Sequence, residues 1–288
     1  MDKFLRKCAF FLILLMLLNG IYLLVLGIFS PGFKKVYEIS KFRNQSYKLL
    51  VLGNSMALDA IDAQYLSQRG LDSYNLAVAG DHVSTSLMLL EEYLQNNKKP
   101  EVVLIGLSSA IGQSYLNKVP FKNPEVEFFY HPSWKANITS PPLLNFQWLF
   151  VDLLKIIISK DHRNAQLVRG QWKTKKVIPD YSVFKEMTNK NTDYSDPYLS
   201  KIIELCQNNG IKVILVELPG ANSNRNSLPF TFETKKASIG NITVYNLNSY
   251  EIASKIIDPE KDWLAPDHLN QFGGQKITAF LLEHIIKK

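Results

Sequence analysis

The first part of the chain is an apolar stretch that few environments can accommodate. Residues Cys8 to Phe29 include no charged side chain, and Asn19 is the polar interruption. At about 1.5 Å per residue, a helix of this length crosses the ~30 Å hydrocarbon layer of a bilayer. The stretch therefore predicts one transmembrane helix, with residues 1–30 as an N-terminal membrane anchor.

A cleavable signal peptide is the alternative interpretation of this stretch. Such a peptide has a shorter apolar core followed by small residues at a cleavage site, whereas residues Gly27 to Pro31 are Gly-Ile-Phe-Ser-Pro. A retained anchor is therefore favoured. Basic residues lie on both sides of the stretch, so the positive-inside rule gives no clean orientation. The short leading tail favours a single-pass cell-membrane protein with its N-terminus inside and its body extracytoplasmic.

After a basic connector at residues 31–47, short apolar runs alternate with helical patterns. The runs are typical of buried parallel strands, and they lie at 48–53, 73–76, 101–107, 211–218 and 243–246. The helical patterns lie at 57–68, 84–97, 197–209 and 277–286. This alternation predicts an α/β domain over residues 48–288, with a parallel sheet and helices on both faces.

A long segment, about 109–196, interrupts the alternation and is predicted to be an insertion with its own structure. Its residues 146–159 are apolar nearly all round. This pattern favours a helix buried against the sheet, and a surface facing a membrane or a partner is the alternative. Basic residues outnumber acidic ones between residues 110 and 194. Such an excess attracts acidic polymers or anionic lipid headgroups, although a merely solvated excess has the same composition.

A serine follows the first predicted strand in the triplet Gly53-Asn54-Ser55. Ligands of open α/β sheets bind at the carboxyl ends of the strands. A helix N-terminus also helps to stabilise a developing anion, which suits a nucleophilic serine. Serine is a favoured N-cap as well, and for the triplet alone capping is the favoured interpretation.

Two further motifs are predicted to lie at the same edge of the sheet. Asn75-Leu-Ala-Val-Ala-Gly80 ends the second strand, where a glycine lets a backbone N–H approach a reacting carbonyl closely, or simply forms a turn. The motif Asp267-His268-Leu-Asn-Gln-Phe-Gly-Gly precedes the last helix, with Asn270 as the predicted N-cap. The combination is more informative than any one motif.

His82 follows Gly80 closely, and it is either a substrate-binding residue at the pocket or a packing residue. Asp81, His82, Asp267 and His268 could be imagined as a metal site, but nothing in their spacing requires one. We therefore predict neither a metal nor a cofactor.

Taken together, the three motifs in this order resemble those of the SGNH/GDSL hydrolase superfamily. Within it, the chain is similar to the membrane-anchored extracytoplasmic branch that includes the D-alanyl transfer protein of the teichoic acid pathway and the alginate O-acetylation proteins. The resemblance covers Lys48 to Ile286 and leaves the insertion unmatched. It implies a flavodoxin-like, three-layer α/β/α domain of the SGNH type.

The resemblance also implies roles for individual residues. Ser55 matches the nucleophile, and His268 matches the histidine that deprotonates it. The backbone N–H groups of Ser55 and Gly80 would form the oxyanion hole. Ser108 stands where the family commonly has an oxyanion-binding asparagine, and Asn54 stands in place of the usual aspartate, with substrate binding as its expected role.

A further departure from the family pattern concerns the acid that orients the histidine. It normally stands three residues before the histidine, where this chain has Ala265. Asp267 and Asp262 are the alternative acids, and a dyad of Ser55 and His268 is a further possibility.

The implied function is transfer of an acyl group, most simply acetyl, to or from hydroxyls of a cell-envelope polysaccharide through a serine acyl-enzyme. A membrane-bound O-acyltransferase is the implied partner, since it commonly delivers the acyl group to anchored relatives. A plain extracytoplasmic esterase or lipase is one alternative. A catalytically inactive glycan-binding or assembly subunit is another. The sequence has no nucleic-acid-binding motif, and an extracytoplasmic body makes such a partner improbable.

Overall fold

The computed structural model describes residues 2–80, 82–107, 123–130, 141–147, 149–151, 154, 165–178, 194, 196–220, 229–236, 240–265 and 268–287. The chain divides into two compact units. The helical unit comprises Met1–Lys41 and Pro124–Arg163, and the α/β unit comprises Phe42–Asn123 and Asn164–Lys288. The segment predicted as one insertion is thus divided between the two units.

The elements are numbered along the chain. The described helices are α1 (Asp2–Phe29), α2 (Pro31–Ser40), α3 (Ser55–Ala60), α4 (Ala63–Gln68), α5 (Val83–Asn96), α6 (Pro124–Tyr130), α7 (Pro142–Asn145), α8 (Pro197–Asn208), α9 (Tyr250–Ile256) and α10 (Gln271–Leu281), which continues as a π-helical turn at Leu282–Ile286. The described strands are β1 (Leu49–Gly53), β2 (Ser73–Asn75), β3 (Val102–Leu107), β4 (Ala165–Val168), β5 (Gln171–Thr174), β6 (Lys212–Glu217), β7 (Thr231–Lys236), β8 (Gly240–Asn246), β9 (Trp263–Ala265) and β10 (His268–Leu269).

The helical unit begins with α1, whose Lys3–Phe29 stretch contains an 18-residue window with a mean hydropathy of 2.6. The stretch is long and apolar enough to be a membrane span or a signal sequence. The chain then breaks at Ser30, whose hydroxyl caps α2 by accepting from the Phe33 N–H at 3.4 Å. Part of the predicted connector at residues 31–47 is therefore helical.

The remaining described parts of the helical unit pack on α1 and α2. Phe146 and Leu149 are buried in a cluster with Tyr22, Leu26 and Phe33. The favoured prediction for residues 146–159, a helix buried against the sheet, is wrong for the described residues. The aromatic rings of α2 and α6 offer Phe146 an alternative apolar environment.

The α/β unit contains a six-stranded sheet in the order β2-β1-β3-β6-β8-β7. All neighbouring strands pair in parallel except β7, which pairs antiparallel with β8 at the edge. The predicted α/β class with a mostly parallel sheet is confirmed. Strands β1 and β3 are buried along their whole length, which explains why they are continuous apolar runs rather than alternating ones.

The single helix predicted at residues 57–68 is two helices. Helix α3 ends at Ala60, and Asp62 caps α4 by accepting from the Tyr65 N–H at 2.9 Å. The Thr278 hydroxyl accepts from the Asp62 N–H at 2.8 Å. Two local hydrogen bonds therefore interrupt an apolar pattern that looked continuous.

A hairpin of β4 and β5 lies inside the predicted insertion but belongs to the α/β unit. Its turn, Arg169-Gly170, has positive φ values of 47° and 80°. The hairpin is joined to β2, because the Asn75 N–H donates to the Arg169 carbonyl at 3.0 Å. Gln171, fully buried, donates to the Asp59 carbonyl of α3 at 2.9 Å.

Candidate active site

Ser55 is the first residue of α3, directly after β1. The helix is capped by Asn54 and not by Ser55, since the Asn54 side chain accepts from the Met56 N–H at 3.0 Å. The capping interpretation of Ser55 is therefore wrong, and its hydroxyl is available for other contacts. The cap also gives the Asn54 side-chain oxygen, predicted to bind substrate, a structural contact.

The turn before Ser55 requires glycines because α3 lies unusually close to the sheet. Gly53 has a φ of +138°, and a Cβ there would lie 2.6 Å from the Gly106 carbonyl oxygen. A Cβ on Gly106, in the neighbouring strand β3, would lie 2.6 Å from the Ala57 Cβ. This sharp strand-to-helix turn fixes the position of Ser55 at the carboxyl end of β1.

His268 lies on β10, the second strand of a two-stranded pairing with β9. Its Nε2 is 2.8 Å from the Ser55 Oγ, which is hydrogen-bond distance. Both residues are half-buried. The structure thus brings together two side chains that are 213 residues apart in sequence.

Asn270 anchors the segment that carries His268. Its side-chain oxygen caps α10 by accepting from the N–H groups of Phe272 and Gly273, as predicted. Its amide nitrogen donates to the Lys261 carbonyl at 2.6 Å and to the Lys176 carbonyl at 3.3 Å. With Leu269 buried in the core beside it, His268 has little freedom to move away from Ser55.

Two backbone N–H groups are available at this edge of the sheet. Within the described ranges, neither Ser55 nor Gly80 donates a backbone hydrogen bond. Gly80 lies in the loop after β2 with a φ of +67°, and a Cβ there would have nothing within 4 Å. The loop is tied to β1 because the Val78 N–H donates to the Gly53 carbonyl at 3.2 Å. Ser108, the third predicted oxyanion contact, lies outside the described residues.

Of the two alternative acids, Asp262 is engaged elsewhere. Its Oδ2 accepts from the Asp258 N–H and from the Lys276 ammonium group, both at 2.7 Å. Its Oδ1 is buried and has no hydrogen-bond partner among the described residues. Ala265 pairs with His268 across the strands, so the usual position of the acid carries a methyl group. Asp267 lies outside the described residues.

His82 lies at the N-cap position of α5 but makes no side-chain capping bond. Burial lowers its pKa, and the negative charge of Asp196 acts in the opposite direction. The predicted role of His82 in substrate binding stays a prediction. No metal-ligating group of three side chains occurs in the described part of the chain, and Asp81 and Asp267 lie outside it.

Asn75 and Gln171 support the site, and sequence reasoning assigned neither a role. The Asn75 amide, fully buried, donates to the carbonyls of Ala57 and Ile61 at the end of α3. Gln171 holds the carbonyl of Asp59. An alternating run around Arg169-Gly170 was the available signal for the hairpin that carries Gln171.

Comparison of the sequence with protein-family models and with curated proteins finds no match. The function of Ser55 and His268 therefore has to be inferred from their residue types and their contact. A serine hydroxyl in contact with an imidazole at the N-terminus of a helix has the arrangement of a nucleophile and its base, and no described backbone group accepts from the N–H groups of Ser55 and Gly80.

Proposed function

We propose that this chain is a membrane-anchored serine acyl-ester enzyme that transfers or removes an acyl group, most simply acetyl, on hydroxyls of a cell-envelope polysaccharide. The 2.8 Å contact between His268 Nε2 and Ser55 Oγ carries the proposal, because proton transfer from a serine requires this distance. The polysaccharide, the extracytoplasmic location and a membrane-bound O-acyltransferase partner rest on the resemblance to anchored SGNH-type proteins.

In the first half of the reaction, His268 accepts the Ser55 hydroxyl proton while Ser55 Oγ bonds to the acyl carbon. The resulting oxyanion accepts hydrogen bonds from the N–H groups of Ser55 and Gly80. When the tetrahedral intermediate collapses, the bond to the leaving group breaks, and His268 returns the proton to that group. The acyl group is then held as an ester on Ser55.

In the second half, a hydroxyl takes the acyl group from the enzyme. His268 deprotonates a sugar hydroxyl or a water molecule, which attacks the ester carbon. When this intermediate collapses, the bond between Ser55 Oγ and the acyl carbon breaks, and His268 returns the proton to Oγ. A sugar hydroxyl makes the enzyme a transferase, and water makes it an esterase. Asp267 is the proposed orienting acid, since the Asp262 carboxylate already binds Lys276 and the Asp258 N–H.

The proposed fold is the flavodoxin-like, three-layer form. Its support is the strand order, in which β2-β1-β3-β6-β8 is the doubly wound order 2-1-3-4-5 once the intervening elements are left out. Ligands of such sheets bind outside the carboxyl ends of the strands, beside β1 and β3. The loop that carries Ser55 lies at that edge.

A serine-directed fluorophosphonate probe tests the nucleophile in the full-length chain. We expect the probe to label wild type on Ser55 and to leave Ser55→Ala unlabelled. His268→Gln should label about 10²–10⁴-fold more slowly, the usual contribution of a positioned base. Ser254→Ala is the matched control, because Ser254 is an exposed hydroxyl on α9 and its removal should leave labelling unchanged.

An inactive glycan-binding subunit is the second candidate function. The observation that favours it is Ala265, which occupies the usual position of the acid and faces His268 across the strand pair. Folded wild-type protein that fails to react with the probe would support this candidate and exclude the enzyme. Asp267→Asn is a further arm of the assay, since loss of the orienting acid lowers turnover up to about 10⁴-fold in serine hydrolases.

Transfer and hydrolysis are separated by following an acetyl ester of a coloured alcohol. Both mechanisms release one equivalent of the alcohol rapidly as Ser55 is acetylated. An esterase then turns over in water alone. A transferase stalls as the acetyl-enzyme until a polysaccharide acceptor is added, and mass spectrometry of the stalled protein should place the acetyl group on Ser55.

A further inference from the structure

Two polar side chains of α1 hold a second segment of the helical unit. Asn19 Oδ1 accepts from the Leu143 N–H at 3.0 Å, and the Tyr22 hydroxyl donates to the Phe146 carbonyl at 2.7 Å. Both side chains belong to buried residues of a helix that otherwise exposes most of its apolar surface. We name the described residues 141–147, 149–151 and 154 the docked segment.

The docked segment lies at the level of the membrane interior if α1 spans the bilayer. Asn19 precedes Phe29, the end of the span, by ten residues, or about 15 Å along a helix. Tyr22 precedes it by seven residues, or about 10 Å. Because a hydrocarbon layer is ~30 Å thick, these contacts place the docked segment between its surface and its middle.

Four of the five exposed side chains described in the docked segment are apolar, and the fifth is Gln147. Leu144, Phe150, Val151 and Leu154 are exposed by 56%, 51%, 55% and 43%. An aqueous environment would leave this surface unfavourably hydrated, and exposed apolar patches of this kind mark interaction sites. The exposed residues of α1 at the same level, Ile21 and Leu18, are equally apolar.

Several backbone groups at the two ends of α7 have hydrogen-bond partners of the kind that hydrocarbon requires. Helix α7 begins at Pro142, which has no N–H, and its next two N–H groups donate to Asn19 and to the Pro141 carbonyl. At the other end, the Phe146 carbonyl accepts from Tyr22. Non-helical backbone is tolerated at membrane depth only when such partners satisfy it.

An open groove with a volume of about 230 Å³ runs between the docked segment and α1. Its walls include Leu18, Ile21 and Val25 from α1, and Leu143, Phe150 and Leu154 from the docked segment. Among the described residues that line it, none is charged. A groove of this chemistry at this depth fits the acyl chains of lipids.

We propose that the docked segment is a re-entrant membrane segment, inserted into the half of the bilayer that contains the C-terminal end of α1, with lipid acyl chains in the groove. The inference goes beyond the proposed acyl chemistry and rests only on its membrane-anchor part. The protein would then contact the bilayer through two distant parts of its sequence rather than through one helix.

Spin labels on the full-length chain in lipid nanodiscs test the proposal. In a background with Cys8→Ser and Cys206→Ala, single cysteines are placed at Leu144 and Val151 in the docked segment. Ile21→Cys in α1 is the lipid-exposed reference, and Val177→Cys in the α/β unit is the water-exposed control. Collisions with oxygen, which concentrates in hydrocarbon, and with a nickel chelate, which stays in water, are measured for each label.

We expect labels at Leu144 and Val151 to lose collisions with nickel and keep collisions with oxygen, as the Ile21 label does. Collisions with nickel equal to those of the Val177 label would place the docked segment in water and overturn the proposal. Loss of collisions with both reagents would mean that protein covers the segment, which also overturns it. Fluorophosphonate labelling of Ser55 is measured on the same samples, so failure of the proposed function is recognised separately.

Discussion

Asn270 has two structural roles, since its side chain caps α10 and donates to the Lys261 carbonyl. It lies two residues after His268. Asn270→Ala removes both the cap and the amide donors, and we expect it to lower the free energy of unfolding by about 2 kcal/mol. Asn270→Ser restores a good cap without the donors and should recover about half of that loss. Denaturant unfolding measures both values.

The same two variants separate positioning from stability at this residue. If the amide donors position His268, Asn270→Ser should still react slowly with the fluorophosphonate probe, although its stability is partly restored. Wild-type reactivity in Asn270→Ser would mean that Asn270 acts only as a helix cap. The comparison is informative because serine and asparagine cap helices about equally well.

His82 makes stability depend on pH. Burial lowers the pKa of His82 below its ordinary value, so the folded state resists protonation that the unfolded chain accepts. Its contribution to stability is therefore complete above the ordinary pKa of ~6.5 and is lost as pH falls from there toward the lowered value. One proton limits the slope to about 1.4 kcal/mol per pH unit.

We accordingly expect His82→Gln to flatten the acid side of the stability profile. Denaturant unfolding of both proteins from pH 7.5 down to pH 5 measures the effect. The two profiles should be parallel above ~6.5 and converge or cross below it. Parallel profiles throughout the range would show that His82 titrates normally and that burial is offset by Asp196.

At the scale of elements, the crossing of α3 over β1 and β3 determines where Ser55 lies. A Cβ on Gly106 would lie 2.6 Å from the Ala57 Cβ and 2.9 Å from the Leu218 Cδ1. We expect Gly106→Ala to lower the free energy of unfolding by about 1–3 kcal/mol, since the helix must move away from the sheet. Labelling of Ser55 should slow as well, because the same movement separates it from His268.

Ala57→Gly supplies the control for this crossing. Alone it costs about 1 kcal/mol, because glycine is a poor helix former. In the Gly106→Ala background it removes the contact with the Ala57 Cβ and leaves that with Leu218, so the double variant should be more stable than the sum of the two single effects predicts, with a coupling of about 0.5–3 kcal/mol. Additive effects would contradict the close contact.

The sequence predicted those elements whose burial is uniform. Strands β1 and β3 appear as apolar runs because their side chains are buried on both faces, β6 is buried from Ile214 to Glu217, and α5 and α8 have regular apolar stripes. The carboxyl ends of these strands determine the position of Ser55. The sequence did not predict the edge strand β7, the helix α9 or the β4–β5 hairpin. Each has a weak local sequence pattern, because contacts with other parts of the fold stabilise it.

The candidate site was predictable in part for the same physical reason. Ser55 follows a strongly patterned strand and His268 precedes the patterned last helix, so the order of the elements places them at one edge of the sheet. The N-cap was assigned to the wrong residue because asparagine and serine are equally good caps in adjacent positions. Asn75 and Gln171 were missed as supports of α3 because a buried amide leaves no pattern until its partners are known.

At the scale of the whole molecule, the proposed chemistry and the proposed membrane contact belong to different units. The described site residues Ser55, Gly80 and His268 all lie in the α/β unit. The apolar surfaces of α1 and the docked segment lie in the helical unit, which is assembled from two separate parts of the sequence. Removal of α1 and α2 should therefore change the apolar surface of the helical unit and leave the candidate site intact.

We predict that a chain beginning at Phe42 keeps fluorophosphonate labelling of Ser55 but does not become a soluble monomer. Without α1 and α2, the side chains of Phe146 and Leu149 lose the cluster that now buries them. Each newly exposed side chain loses about 1.5–3 kcal/mol of burial, which favours self-association or binding to vesicles. Gel filtration and flotation with lipid vesicles measure the two outcomes.

The matched control replaces Phe146, Leu149 and Phe150 by serine in the same truncated chain. We expect this variant to stay monomeric and to float less with vesicles, with labelling of Ser55 unchanged because none of the three residues belongs to the α/β unit. A truncated chain that is monomeric without these substitutions would contradict the argument, since it would show that the docked segment does not depend on α1 for burial. Loss of labelling in the truncated chain would show instead that the α/β unit needs the anchor to fold.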